Sequence, residues 1–103
     1  MNKREIIRKN ADTEFKNFKH LELQKSKEEI FKDNYKIRFF DEVHDFLICK
    51  TDLEDEDMEI IISDGLIFIA LLYDFYLSKE YTSINTWEDI SDMISEYCNT
   101  ERG

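Results

Sequence analysis

The sequence contains no proline and only two glycines, Gly65 and Gly103, among its 103 residues. This shortage argues against a turn-rich β-sandwich or barrel, and against a glycine loop that cradles the phosphates of a nucleotide. Cysteine is also scarce, because Cys49 and Cys98 stand alone and no Cys-x-x-Cys pair offers zinc ligands. We therefore predict two reduced thiols, both at least partly buried, and no metal site.

Long apolar runs are missing as well. The longest, from Leu66 to Tyr73, is followed by Asp74 and is far shorter than the ~20 residues that a bilayer span needs. The first seven residues hold four charged or polar side chains and lack the apolar core of a signal peptide. These absences predict a cytoplasmic protein that has no membrane partner.

Positive charge is almost absent from the second half of the chain. Residues 1–50 carry 12 Lys and Arg against 10 Asp and Glu, whereas residues 51–103 carry only Lys79 and Arg102 against 14 acids. The total formal charge of −10 excludes a general binder of nucleic-acid phosphates. The net charge of −12 on residues 51–103 suggests that one face of the protein binds a basic partner. The competing explanation is that these acids only keep the protein soluble.

The acids of this half gather in two places, and carboxylates in such rows can stand in for phosphates inside a groove lined with Arg and Lys. A calcium loop does not fit the first row, because from Asp52 the required glycine and glutamate positions hold Asp57 and Ser63. The predicted partner-binding residues are Asp52, Glu54, Asp55, Glu56, Asp57 and Glu59 in the first row, and Glu88, Asp89, Asp92 and Glu96 in the second.

Apolar residues, 42% of the chain, recur mainly with a helical period. The pairs Ser26/Glu29 and Thr86/Asp89 match capping boxes and predict two helix starts, and Asp52 is a third candidate N-cap. The second predicted helix runs from Lys27 to about Ile48. The segment 66–80 is apolar nearly all round and predicts a central buried helix or an oligomer interface. The predicted buried faces are Ile7, Ala11, Phe15, Phe18 and Leu21; Phe31, Tyr35, Phe39, Val43, Phe46 and Leu47; and Trp87, Ile90, Met93, Ile94 and Tyr97.

These patterns predict one all-α domain of four to five helices over residues 1–103. The alternative is an α+β fold with one β-hairpin at about 59–70, because the three isoleucines 60–62 favour a strand and Asp64-Gly65 suits a tight turn. An isolated hairpin is marginally stable without helices packed on it.

Residues suited to catalysis are few. The histidines, His20 and His44, lie among charged neighbours at expected helix surfaces, and His44 and Cys49 are five positions apart, which a helix does not place on one side. No serine sits in a Gly-x-Ser-x-Gly elbow. We predict no catalytic residue, no enzyme activity and no cofactor.

Two stretches resemble a small family of uncharacterised proteins carried by phages and conjugative elements of Gram-positive bacteria. They are the segment from Lys27 to Val43 and the step from Leu53 to Asp57 into an apolar helix, and the resemblance covers about residues 5–80. It implies an accessory protein of a mobile element in the bacterial cytoplasm. The small size and acidity are also similar to the profile of anti-CRISPR proteins.

The resulting hypothesis is a non-enzymatic inhibitor from a phage or mobile element. It would be an anti-CRISPR protein whose acidic surface blocks the nucleic-acid groove of a type II CRISPR effector nuclease, with no direct contact to nucleic acid. The alternative is a homodimeric helical interaction module, antitoxin-like or structural, because the segment Leu66–Leu77 offers more apolar surface than a monomer of this size buries.

Overall fold

The computed structural model describes residues 2–49, 53–79 and 86–102, and every regular element in these ranges is helical. The all-α prediction is confirmed. The hairpin alternative is wrong, because residues 59–70 lie in two helices and the turn between them. The elements are α1 (Lys3–Leu23), α2 (Lys27–Lys32), α3 (Asn34–Cys49), α4 (Asp55–Asp64), a 3-10 turn (Gly65–Ile67), α5 (Phe68–Ser78) and α6 (Trp87–Arg102).

Local capping signals set several of the helix starts. The Ser26 hydroxyl accepts a hydrogen bond from the backbone N–H of Glu29 at 3.3 Å, and Thr86 and Asp89 exchange two side-chain-to-backbone bonds of 3.2 Å. Both predicted capping boxes therefore begin helices, α2 and α6. The predicted cap Asp52 lies outside the described residues, and α4 begins after Glu54, whose side chain makes no capping bond.

The helix predicted from Lys27 to about Ile48 is divided at Asp33 into α2 and α3. If these two are counted as one helix, the described residues form five helices. Lys25 donates to Asp33 at 2.6 Å and to Glu22 at 2.8 Å, which ties the break to the end of α1. Helix α2 buries no residue. Phe31 of α2 and Tyr35 in the first turn of α3, both predicted on the buried face, are 82% and 80% exposed.

One buried cluster fills the space between the other five helices. Its members from α3, α5 and α6 include Phe46, Leu72 and Ile94, all with 0% exposure. Besides Phe31 and Tyr35, two further predicted core residues are not part of it. Leu21, in the last turn of α1 beyond Phe18, is 60% exposed, and Trp87, the first residue of α6, is 44% exposed. Both side chains lie in a terminal turn of a helix, where the neighbouring Glu22 is buried in place of Leu21 and Trp87 meets the Phe46 ring only edge-on.

The two cysteines differ. Cys98 is buried, as predicted, and its Sγ lies 3.9 Å from the backbone oxygen of Asp57. Cys49 is exposed, which corrects the prediction, because it is the last residue of α3 and extends past the core.

A buried carboxylate holds the junction between α4 and α5. Gly65 has a φ of +64°, a conformation that favours glycine, and it ends α4. The carboxylate of Glu14, on α1, accepts hydrogen bonds from the backbone N–H groups of Ile69 (2.8 Å) and Ala70 (2.9 Å) in the first turn of α5. Glu14 thus caps α5 from another helix.

The segment Asp55–Ser78, which comprises α4, the 3-10 turn and α5, is longer than the apolar run in the sequence, although Gly65 ends α4 within it. Among the described residues it is the one segment with the length and composition to cross a membrane, with a mean hydropathy of 1.9 over 18 residues. Core helices of soluble proteins meet the same criterion. Only 22% of that window is buried, however, and Leu66, Ile67 and Leu77 are 45%, 56% and 55% exposed.

Candidate functional site

The fold brings the two predicted acidic rows onto adjacent helices, because α4 packs against α6. Eight of the predicted carboxylate side chains, on these helices and on the residue before α4, are exposed, and we call these eight the acidic surface. The chain has no Lys or Arg between residues 53 and 78 to interrupt their charge. The members are Glu54, Asp55, Glu56, Glu59, Glu88, Asp89, Asp92 and Glu96.

Two predicted residues are left out of this definition, for different reasons. Asp52 lies outside the described residues. Asp57 is only 3% exposed, because it shares the inward face of α4 with Ile61, one helical turn away. Asp57 therefore cannot contact a partner, and its prediction as a binding residue is corrected.

Lys3 of α1 forms two ion pairs at one edge of the acidic surface. Its Nζ lies 2.7 Å from a carboxylate oxygen of Asp55 and 3.0 Å from one of Glu59. These two hydrogen bonds raise the pKa of Lys3 above its usual value. An open cleft of about 510 Å³ between the start of α1 and α4 is lined by Asn2, Lys3, Arg4, Asp55 and Met58. At this edge the negative charge is partly compensated within the molecule.

The remaining acidic side chains have different local roles. Asp89 is engaged in the cap of α6, and the exposed carboxylates of Glu88 and Asp89 in the first turn are stabilised by the helix dipole. The side chains of Glu54 and Asp92 are exposed and serve no cap. An external cation could approach these two without breaking a capping bond.

Two long-range pairs could not be predicted from sequence pattern. Lys3 and Asp55 are 52 positions apart, and the ring nitrogen Nε2 of His44 lies 2.7 Å from a carboxylate oxygen of Asp12, 32 positions earlier. The His44 ring also packs on Phe15, with centroids 4.6 Å apart. This pair joins α1 to α3, and only the packing of these helices brings its members together.

The acidic surface concentrates negative charge on exposed side chains. Within the described ranges, no group of three or more His, Cys, Asp or Glu side chains is placed to hold a metal ion. His20, on the surface of α1, shares a hydrogen bond of 3.0 Å with Gln24.

Comparison with known proteins supplies no relative for this chain: no family model, curated protein or solved structure matches it.

Proposed function

We propose that this protein is a non-enzymatic inhibitor that binds a basic groove on another protein. We further propose that a phage or other mobile element carries it, and that the target is the nucleic-acid groove of a type II CRISPR effector nuclease. The resemblance of the segment from Lys27 to Val43 to proteins of mobile elements motivates the origin and the target class.

The observation that carries the proposal is the placement of the acidic surface. Its eight exposed carboxylates lie on and beside the packed helices α4 and α6, and Lys3 of α1 is paired with two of them, Asp55 and Glu59, at one edge. A groove that binds nucleic acid is lined with Arg and Lys, which form charge-assisted hydrogen bonds with carboxylates as they do with phosphates. Direct binding to nucleic acid is disfavoured by the formal charge of −10.

A cleavage assay with purified nuclease, guide RNA and target DNA tests the proposal. A molar excess of this protein should suppress cleavage by at least one nuclease in a panel of type II orthologues. The double variant Glu54→Lys/Asp92→Lys should inhibit about tenfold less well or worse, a loss of ~1.4 kcal/mol of binding free energy or more. It spares the buried Asp57 and the Lys3 ion pairs.

The matched control is Glu28→Lys/Asp41→Lys, which reverses two exposed acids of the first half. Either double variant turns two charges of −1 into +1, so each brings the formal charge from −10 to −6. The control should inhibit as well as the original protein. Uninhibited cleavage across the panel would refute the target, and equal inhibition by both variants would refute the acidic surface as the contact.

The exposed apolar residues favour a second candidate, a homodimeric interaction module. Leu66 and Ile67 lie in the 3-10 turn, Leu77 lies near the end of α5, and each is about half exposed. Exposed apolar side chains that are contiguous often mark a protein interface. Light scattering coupled to size exclusion tests this candidate, and a monomer at micromolar concentration would exclude the dimer.

A further inference from the structure

A cation of the chain itself occupies one part of the acidic surface. The ammonium group of Lys3, the first residue of α1, donates to a carboxylate oxygen of Asp55 and to one of Glu59, at 2.7 Å and 3.0 Å. The two acids are four residues apart on α4, so they lie one turn apart on the same side of that helix. This pair of carboxylates therefore holds one alkyl ammonium group, and it has the chemistry to hold the lysine or arginine of a partner in the same way.

The pair of carboxylates stays open to solvent while Lys3 is bound. The side chains of Asp55 and Glu59 are 71% and 66% exposed, whereas that of Lys3 is 34% exposed. The open cleft of about 510 Å³ that is lined by Lys3, Asp55 and Met58 gives access to the pair from outside. A side chain of another protein can therefore reach these carboxylates before Lys3 leaves them.

The start of α1 does not depend on the contacts of Lys3. Asn2 caps this helix, because its side-chain oxygen accepts a hydrogen bond of 2.9 Å from the backbone N–H of Glu5. A cation at the first position of a helix is disfavoured by the helix dipole. Exposed ion pairs, in addition, contribute little to stability. Loss of the Lys3 contacts should therefore leave the fold intact.

We propose that Lys3 is an intramolecular competitor for the acidic surface: in the free protein it occupies Asp55 and Glu59, and an arginine or lysine of a basic partner displaces it. This inference rests on the proposed function, since it concerns how the same surface binds its target. Arginine is the favoured displacing group, because its planar guanidinium forms two parallel hydrogen bonds with a carboxylate, whereas Lys3 donates one bond to each acid.

The competition weakens the binding of any basic partner. The partner must break both ion pairs of Lys3 before its own cation can take their place. Removal of Lys3 should therefore raise the affinity for a basic partner about threefold to tenfold at low salt, which is the range that exposed ion pairs support.

A matched pair of variants tests this gain. Lys3→Gln frees the two acids, and the control Lys9→Gln removes an exposed lysine of the same helix that lies six residues, or about 9 Å, further along. Each change brings the formal charge from −10 to −11. The probe is a fluorescent peptide of nine arginines, and anisotropy titrations at low salt should show tighter binding to Lys3→Gln than to Lys9→Gln. Circular dichroism checks that both variants keep their helices.

Two further variants show whether the gain comes from the pair of carboxylates. In the background Asp55→Asn/Glu59→Gln, Lys3→Gln should add no more affinity than Lys9→Gln does, because no carboxylate is left to free. Lys3→Arg keeps a cation on both acids and should bind the peptide no more tightly than the original protein. A full gain of affinity in either case would contradict the competition.

Nuclear magnetic resonance of the Lys3 ammonium group reports the displacement in the original protein. Its two hydrogen bonds should slow proton exchange with water, so that the Nζ–H signal is observed in the free protein. Saturation with the peptide of nine arginines should abolish this signal. A signal that persists unchanged in the complex, or equal peptide affinities of Lys3→Gln and Lys9→Gln, would overturn the proposal.

A parallel cleavage assay separates this inference from the inhibitor function. If the peptide displaces Lys3 and no nuclease is inhibited, the inhibitor function fails and the competition at Asp55 and Glu59 stands. If a nuclease is inhibited and Lys3→Gln inhibits no better than Lys9→Gln, the inhibitor function stands and the competition fails.

Discussion

The carboxylate of Glu14 is 5% exposed and accepts two backbone hydrogen bonds at the start of α5. Burial raises the pKa of Glu14 from 4.5 to about 7, and the negative charge of Asp64 acts in the same direction. The two backbone hydrogen bonds lower the pKa and only partly offset the burial. In the folded protein Glu14 therefore holds a proton at pH values where the unfolded chain has lost it.

This difference predicts how stability depends on pH. The free energy of unfolding should fall as the pH rises from 4.5 to about 7, and the stabilisation from protonating Glu14 should be complete below that window and absent above it. The contribution of this group is about 3 kcal/mol at ~1.4 kcal/mol per pH unit. Glu14→Gln cannot titrate, so its urea unfolding curves should depend less on pH in this window. The control Glu28→Gln changes an exposed acid, and a Glu14→Gln profile parallel to that of the control would contradict the account.

A pair of substitutions on α6 separates buried from exposed apolar side chains. Ile90 is 0% exposed, so Ile90→Ala should lower the free energy of unfolding by ~2–5 kcal/mol. Trp87 is 44% exposed and meets the Phe46 ring only edge-on at 6.2 Å, so Trp87→Ala should cost less than ~2 kcal/mol. Urea unfolding measures both. The opposite order, with Trp87→Ala the more damaging, would mean that Trp87 is a core residue.

At the scale of the element, Gly65 ends α4 and a 3-10 turn connects it to α5. A Cβ atom at Gly65 would meet no atom within 4 Å, so the φ of +64° alone should oppose a larger residue. Gly65→Ala should therefore lower the free energy of unfolding by ~1–3 kcal/mol. Ser63→Ala, at an exposed position two residues earlier, should change it by less than ~0.5 kcal/mol. Equal unfolding midpoints for the two variants would contradict this assignment.

Much of the fold could be predicted from local pattern. The helical period gave α1, most of α3 and α6, and the capping residues gave the starts of α2 and α6, because these signals act over a few neighbouring residues. The break at Asp33 could not be predicted, since it involves Lys25, eight positions away. The exposure of Leu21, Phe31 and Tyr35 depends on which helix covers them, and that follows from the tertiary arrangement.

The acidic surface was predictable to a similar degree. Clustering along the sequence and helical spacing identified its residues, because neighbouring exposed acids on a helix need no tertiary information. Spacing also placed Asp57 on the surface, which the packing of α4 shows to be wrong. The compensation of Asp55 and Glu59 by Lys3 required knowledge of how α1 meets α4.

At the scale of the whole molecule, the charge is divided between the two halves of the chain. The half from residue 51 onward carries 14 acids and two basic residues, and the acidic surface belongs to it. Exposed charges interact over about 10 Å at 0.1 M salt and over about 3 Å at 1 M. An inhibitor that works through this surface must therefore lose affinity for its target as salt rises.

The most direct measurement is a pair of binding titrations against the inhibited nuclease, at 0.1 M and 1 M salt, for the original protein and for Glu54→Lys/Asp92→Lys. Attraction between the acidic surface and a basic groove predicts that the original protein binds more weakly at high salt. It also predicts that the variant binds more weakly than the original at low salt, and that the two affinities converge at 1 M. A folded variant with unchanged affinity and unchanged salt dependence would show that the acidic surface does not bind the target.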